Sequence, residues 1–103
     1  MFEALMAEVR RKLLAGNYVA TEHFVTRCRE RGLSVTEVVR ETAHGRIIED
    51  YPEDQRGHSC LILARCGQYS LHVVVGVAYV GIHMITVYRP DPEAWNEGFD
   101  RRR

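Results

Sequence analysis

The stretch QYSLHVVVGVAYVGIHMITVYR, residues 68–89, decides the fold. Two runs rich in β-branched residues flank Val80-Gly81, the pattern of two antiparallel strands at the heart of a sheet. Side chains alternate between faces along a strand, so Leu71, Val73, Val75 and Val77 share one face. His72, Val74, Gly76 and Ala78 share the other. On the second strand the greasier set is Ile85 and Val87, and the alternate set is Met84, Thr86 and Tyr88. Turning both greasier faces toward the core pairs odd residues with odd and even with even. That parity excludes a two-residue turn and predicts a three-residue loop, Tyr79-Val80-Gly81, with Gly81 in the left-handed position of a bulged hairpin. His72 then lies opposite Tyr88, and Val74 opposite Thr86. An imidazole, a phenol and a hydroxyl gather on the sheet face away from the core. A shorter loop would place His72 against Arg89 and scatter the group.

Outward from this hairpin, His58 to Cys66 reads as a strand joined through a tight Gly67-Gln68 turn. Cys60, Ile62 and Ala64 face the core beside Val75, Val73 and Leu71, while Leu63 and Arg65 share the outer face with His72 and Ser70. Arg46 to Tyr51 is a further strand, and Pro52 to Gly57 a charged loop. Upstream, Phe2, Leu5, Met6, Val9 and Leu13 recur at helical spacing, and Gly16-Asn17 stops that helix. Thr21 looks like the N-cap of a second helix ending near Arg31-Gly32. Ser34-Val35-Thr36-Glu37 is a capping box opening a third, with Val35, Val38, Val39 and Thr42 inward and Gly45 at its end. After Arg89, Asp91 can cap and Pro92 suits the first turn of a short C-terminal helix carrying Trp95 and Phe99. The expected fold is α+β: three N-terminal helices on one face of a four-stranded antiparallel sheet, then a short C-terminal helix.

At 103 residues the chain is one domain, residues 1–103, long enough to bury a real core. Its net charge is zero, which argues against a non-specific nucleic-acid binder. Of the 14 basic residues, all but Lys12 are arginine. Arginine gives planar, bidentate phosphate contacts, although genome base composition favours it too. No signal peptide opens the chain, and the longest apolar run, Leu71 to Tyr79, is too short to span a bilayer. Three cysteines without a Cys-x-x-Cys pattern suggest reduced thiols and a cytoplasmic location.

Two constellations carry chemistry. His23, Arg27 and Arg31 fall on one stripe of the second helix, bordering the apolar face of Phe24, Val25 and Cys28. They form either a phosphate clamp near a helix N-terminus or scaffold arginines paired with Glu22 and Glu30. His72, Thr86 and Tyr88 form either an acid/base group with hydrogen-bonding neighbours or ordinary cross-strand pairs. Arg65 and Arg89, flanking that face, are candidate phosphate contacts. His58, Cys60, Cys66 and His72 do not make a metal site, because the cysteines and His72 point to opposite faces. Asp50, Glu53 and Asp54 read as a solvated acidic patch. The terminal arginine triplet reads as a mobile tail. His44 and His83 carry no argument.

His23-x-x-x-Arg27-x-x-x-Arg31-Gly32-Leu33-Ser34, Gly45-Arg46-Ile47-Ile48-Glu49-x-Tyr51, Leu71-His72-Val73-Val74 and Ile85-Thr86-Val87-Tyr88 together resemble the small bacterial domain of unknown function 4258, from about Thr21 to Trp95. The resemblance implies a compact fold like that of the RelE- and barnase-type metal-independent ribonucleases. It also implies a toxin–antitoxin context, with a small zinc-finger partner. It carries His23, Arg27, His72, Thr86 and Tyr88 as functional positions.

The resulting expectation is a toxin-type endoribonuclease without metal or cofactor, acting on RNA such as mRNA. In it the 2′-hydroxyl attacks the adjacent phosphate, His72 or His23 shuttles protons, and Arg27 and Arg31 hold charge. Tyr88 and Thr86 orient the phosphate. The rival expectation is a non-catalytic domain binding protein or RNA through an open sheet face with Leu61, Leu63, Val74 and Met84.

Overall fold

A computed structural model describes residues 1–103. In chain order the elements are α1 (Glu3–Leu14), β1 (Tyr18–Ala20), α2 (Glu22–Glu30), α3 (Val35–Ala43), β2 (Arg46–Tyr51), β3 (Ser59–Cys66), β4 (Tyr69–Gly76) and β5 (Ile82–Tyr88). The local helix signals act as read. Thr21 Oγ1 accepts the Phe24 N–H at 3.1 Å, and Ser34 Oγ accepts the Glu37 N–H at 3.3 Å. Gly16 and Gly32 stop α1 and α2 in the left-handed region, at φ 76° and 66°.

The sheet corrects the expectation in two ways. It has five strands in the order β1-β5-β4-β3-β2, and it is mixed, because β1 runs parallel to β5. Three residues are too few to show an alternating pattern, so Tyr18–Ala20 reads as a linker in sequence. The strand exists through its neighbour: Tyr18, Val19 and Ala20 pair with Ile82, His83 and Met84. Gly81 lies so close to Asn17 that a Cβ there would sit 2.6 Å from the Asn17 Oδ1. The second correction is the C-terminal helix, which does not form. Ala94 and Trp95 donate to the Asp91 carbonyl, one turn's worth of bonds, and then the chain bends away. The Asn96 side chain takes the Asp100 and Arg101 amides, and Phe99 adopts φ 59°. These local bonds compete with helix propagation.

The hairpin keeps its predicted register only in the half away from the loop. His72 pairs with Tyr88 and Val74 with Thr86, as parity requires. The loop, however, is Val77–Gly81 rather than three residues, and Gly81 is not left-handed. A bulge at Ile85 shifts the register between Val74 and Val75, so Met84 and Ile82, not Ile85, join Val87 in the core. All three helices bury their apolar stripes on that side of the sheet. Val9, Phe24, Val38, Val73, Val75 and Met84 are sealed there from solvent.

The opposite face is covered over its centre by residues 90–103. Leu61, His72 and Trp95 are buried on that side. The open face expected for docking is therefore not formed by the residues named for it, because Leu61 lies under cover and Met84 points into the core.

Candidate functional site

β1 ends at Ala20, so the second half of β5 has no strand beside it, and α2 starts at that edge. Thr21 fixes the junction: its N–H and Oγ1 both donate to the Met84 carbonyl, at 3.2 and 3.0 Å. Within the first turn of the helix, His23 reaches around the edge, and its Nε2 lies 3.1 Å from Thr86 Oγ1. The helical stripe and the hairpin constellation thus meet at one place. His23 is exposed there, with Thr86 half-buried beside it.

Arg27 follows on the same stripe, about 40° further around α2. Its guanidinium pairs with Glu30, and Arg31 lies 3.7 Å from the same carboxylate. Both side chains keep about a third of their surface open, 35% and 33%. A partly solvated pair of this kind holds its partners weakly, so Arg27 can exchange Glu30 for an incoming phosphate at little cost.

His72 sits in a different environment. It is fully buried beside Trp95, the two rings meeting edge-on with centroids 4.4 Å apart. Nε2–H donates to the Phe99 carbonyl at 2.7 Å, so the neutral ring offers Nδ1 as the acceptor for the Tyr88 hydroxyl at 3.4 Å. Burial pulls its pKa below the ordinary histidine value, only partly opposed by the Phe99 carbonyl and by the charge of Glu49. Tyr88 is pushed the other way, chiefly by burial, and stays a phenol. Carbonyl, imidazole and phenol form a chain that ties the Tyr88 hydroxyl to β4 and to the covering stretch.

Beyond them lies a cluster built from Glu49 and Tyr51 of the second motif block and from Arg102 of the C-terminal stretch. Arg102 makes a bidentate pair with Glu49, Nε to Oε2 at 2.9 Å and Nη2 to Oε1 at 3.1 Å, and its guanidinium lies over Trp95. Tyr51 donates to the same carboxylate. Burial and that acceptor raise the Tyr51 pKa to about 12. Burial pushes the Glu49 carboxyl up, but the Arg102 and Tyr51 hydrogen bonds outweigh it, and the net shift is downward. Glu49, Leu61, Val74 and Thr86 pair successively across the sheet. Three strand spacings, about 14 Å, separate this cluster from the His23 edge.

The remaining candidates are placed apart. Arg65 pairs with Ser70 on the outer face, four cross-strand pairs along from Leu61–Val74 and with its side chain in solvent. Arg89 follows Tyr88 and so turns to the helix side, stacking over Tyr69 at 4.2 Å. His58 binds Asp50 at 2.6 Å, and Asp54 accepts from Ser59 at 2.8 Å, so two of the three acidic residues have partners while Glu53 is exposed. No three His, Cys, Asp or Glu side chains converge as metal ligands. A hollow of about 760 Å³ between α1 and β2 is lined by none of the candidate residues. No helix is long and apolar enough to cross a membrane.

No curated protein and no solved structure matches the chain. The likeness to RelE- and barnase-type nucleases therefore rests on the family resemblance alone. The family model described as Domain of unknown function (DUF4258) matches residues 20–89, the span from the end of β1 through β5 that carries His23, Arg27, His72, Thr86 and Tyr88. The chain belongs to that family.

Proposed function

We propose that this chain is a metal-independent endoribonuclease whose reacting groups stand at the α2–β5 edge. The observation that carries the reading is the approach of the exposed His23 imidazole to Thr86 Oγ1, 3.1 Å, with the Arg27 guanidinium on the same helix stripe. An imidazole, a hydroxyl and a releasable guanidinium are what transfer at an RNA phosphate requires: a proton acceptor, a hydrogen bond to orient, and a counter-charge. His23 takes the proton of the 2′-hydroxyl as that oxygen bonds to phosphorus. The bond from phosphorus to the 5′ oxygen breaks, and water protonates the departing oxygen. The products are a 2′,3′-cyclic phosphate and a 5′-hydroxyl. Arg27, with Arg31 behind it, holds the charge that builds on the phosphate oxygens, and Thr86 orients them.

His72 has a different role in this reading. A buried imidazole that keeps its Nε2 proton on a backbone carbonyl exchanges protons poorly with substrate. It acts as a positioning residue, tying the Tyr88 phenol and the Phe99 carbonyl to β4 behind the site. Arg65 and Arg89 stand too far along the sheet or on its other side to touch the same phosphate. A cytoplasmic location, suggested by three free buried cysteines, and control by a small zinc-finger antitoxin belong to the same proposal.

The test is incubation of purified protein with RNA in excess chelator. The reading expects cyclic-phosphate ends from RNA and no cutting of a fully 2′-deoxy strand. It also expects a loss of about 100-fold or more in rate for Arg27→Ala. RNA left intact by the wild-type protein, or a 2′-deoxy strand cut equally well, would end it.

A further inference from the structure

On the outer face beyond Ile85, Tyr79 stacks on His83, with ring centroids 3.9 Å apart and planes 20° from parallel. The pair lies over Gly76. A Cβ built at Gly76 would meet Tyr79 Cε2 at 3.5 Å, His83 Cβ at 3.5 Å and Ile85 Cδ1 at 3.4 Å, ordinary contact distances that place the ring directly over this position. Tyr79 keeps 46% of its surface in solvent although it is stacked, and its hydroxyl lies 3.4 Å from the Arg56 carbonyl. The ring is thus fixed in orientation while much of it stays uncovered. Val19, half-exposed, pairs with His83 from β1 and extends the apolar rim.

Nothing in the fold requires such a ring. Its hydrophobic surface is not used in the core, and its five-residue loop could carry a polar side chain more cheaply in solvent. Its place along β5 is informative. His83 and Thr86 are three residues apart on one strand, about 10 Å, less at the intervening bulge. A strand of RNA whose phosphate lies at His23 and Thr86 can follow β5 over Ile85 and set its flanking base on Tyr79. Flat, sequence-tolerant stacking on an aromatic ring is the usual way unpaired bases are held. A pre-stacked ring also gives up little conformational freedom when it takes the base.

We infer that the Tyr79–His83 stack is a nucleobase subsite, which takes the unpaired base flanking the phosphate bound at His23 and Thr86. The inference rests on the ribonuclease reading for its substrate class, but it concerns binding and can fail separately. It makes the preferred substrate single-stranded, since a base inside a duplex has no free face to offer.

The experiment is fluorescence anisotropy with a labelled 2′-O-methyl oligoribonucleotide of mixed sequence, which cannot be cut because its 2′ oxygens are blocked. Wild type, Tyr79→Ala, Tyr79→Phe and His83→Ala are compared, with the same strand annealed to its complement as control. The expected result is about tenfold weaker binding of the single strand by Tyr79→Ala. Tyr79→Phe should stay within about twofold, because it keeps the π face, and His83→Ala should fall between them. Duplex affinity should be unaffected by any of the three. Equal single-strand affinity for wild type and Tyr79→Ala overturns the subsite and leaves the ring as a protein contact. Equal losses for Tyr79→Ala and Tyr79→Phe also overturn it, since stacking does not need the hydroxyl. Binding that depends on Tyr79 without any cleavage of ordinary RNA keeps the subsite and removes the nuclease. Cleavage of ordinary RNA with a KM indifferent to Tyr79→Ala does the reverse.

Discussion

The two faces of the sheet are both buried at their centres, but by different means. On the helix side the seal is apolar but for Thr42, whose hydroxyl donates to the Val38 carbonyl of its own helix; Phe24, Val38, Val73 and Met84 pack there. On the other side the cover is a stretch without helix or strand, residues 90–103, held by polar bonds. Phe99 accepts from His72, Arg102 pairs with Glu49, and Asp100 pairs with Arg46 at 2.9 Å. The first arrangement gives stability, while the second fixes a position. A buried imidazole with both nitrogens bonded locates Tyr88 and the covering chain in a way that a leucine could not. The only histidine of the candidate group left in solvent is His23, at the edge where neither cover reaches.

The largest perturbation that separates the two faces is Trp95→Ala. Trp95 is 4% exposed and is the one large ring between the covering stretch and the sheet, so its loss should destabilise the fold by about 3–5 kcal/mol. Urea unfolding reads this directly, with Phe24→Ala as the counterpart on the helix side. A Trp95 effect under about 1 kcal/mol would mean that residues 90–103 do not form a second core.

Next in size is His72→Ala, which strips the Tyr88 hydroxyl and the Phe99 carbonyl of their partner and opens a cavity. It should cost about 2–4 kcal/mol, whereas His72→Gln, able to bond one of the two groups, should cost less. Equal losses for the two would argue that ring volume, not the hydrogen-bond chain, is what the site uses.

The same imidazole sets a pH dependence whose sign follows from its environment. The folded-state pKa is lowered from 6.5, mainly by burial, while the unfolded chain keeps the ordinary value. Below that value the unfolded state binds the proton more readily. This contribution to stability is therefore complete above about pH 6.5 and is lost as the pH falls toward the depressed folded value. Melting temperatures at pH 7.5 and 5.5 should drop more in wild type than in His72→Gln. Parallel declines would remove His72 as the cause.

The smallest effect belongs to Arg102→Ala. The guanidinium is 61% exposed, so solvent screens its pair with Glu49, and the loss should stay below about 1 kcal/mol. A larger value would show that the clamp, rather than Trp95, holds the covering stretch down.

These differences follow what the sequence could and could not reveal. The pairing of His72 with Tyr88 was legible because Val87 and Val73 had to share the apolar face; parity carried that far and failed beyond the bulge at Ile85. The helix ends were legible because Thr21, Ser34, Gly16 and Gly32 act on their own backbone neighbours. Three features were not. β1 consists of three residues whose partner lies more than sixty positions away. The bulge at Ile85 exchanges two hydrophobic residues, Met84 and Ile85, which no composition rule tells apart. The covering stretch carries good helix signals at Asp91 and Pro92, but they lose to Asn96 bonding Asp100 and Arg101, and to the burial of Trp95. Within the candidate site, the two constellations were visible separately. Their meeting at 3.1 Å depends on β1 stopping at Ala20, which only the fold determines. Glu49 stood in a motif block without a partner and Arg102 read as a mobile tail, because the two lie about fifty residues apart. Tyr79 and His83 were missed because a stacked pair across a loop has no sequence period.

The most direct test of the account measures RNA cleavage in chelator by His23→Ala and by His72→Gln, alongside their melting temperatures. The account predicts that His23→Ala melts within a degree or two of wild type, since it removes only an exposed hydrogen bond, and cleaves about 100-fold or more slowly. His72→Gln should melt lower and retain most of its activity at a temperature where it is folded. An active His23→Ala protein, or a His72→Gln protein that is fully folded and inert, would contradict the assignment of the reacting imidazole to the exposed edge.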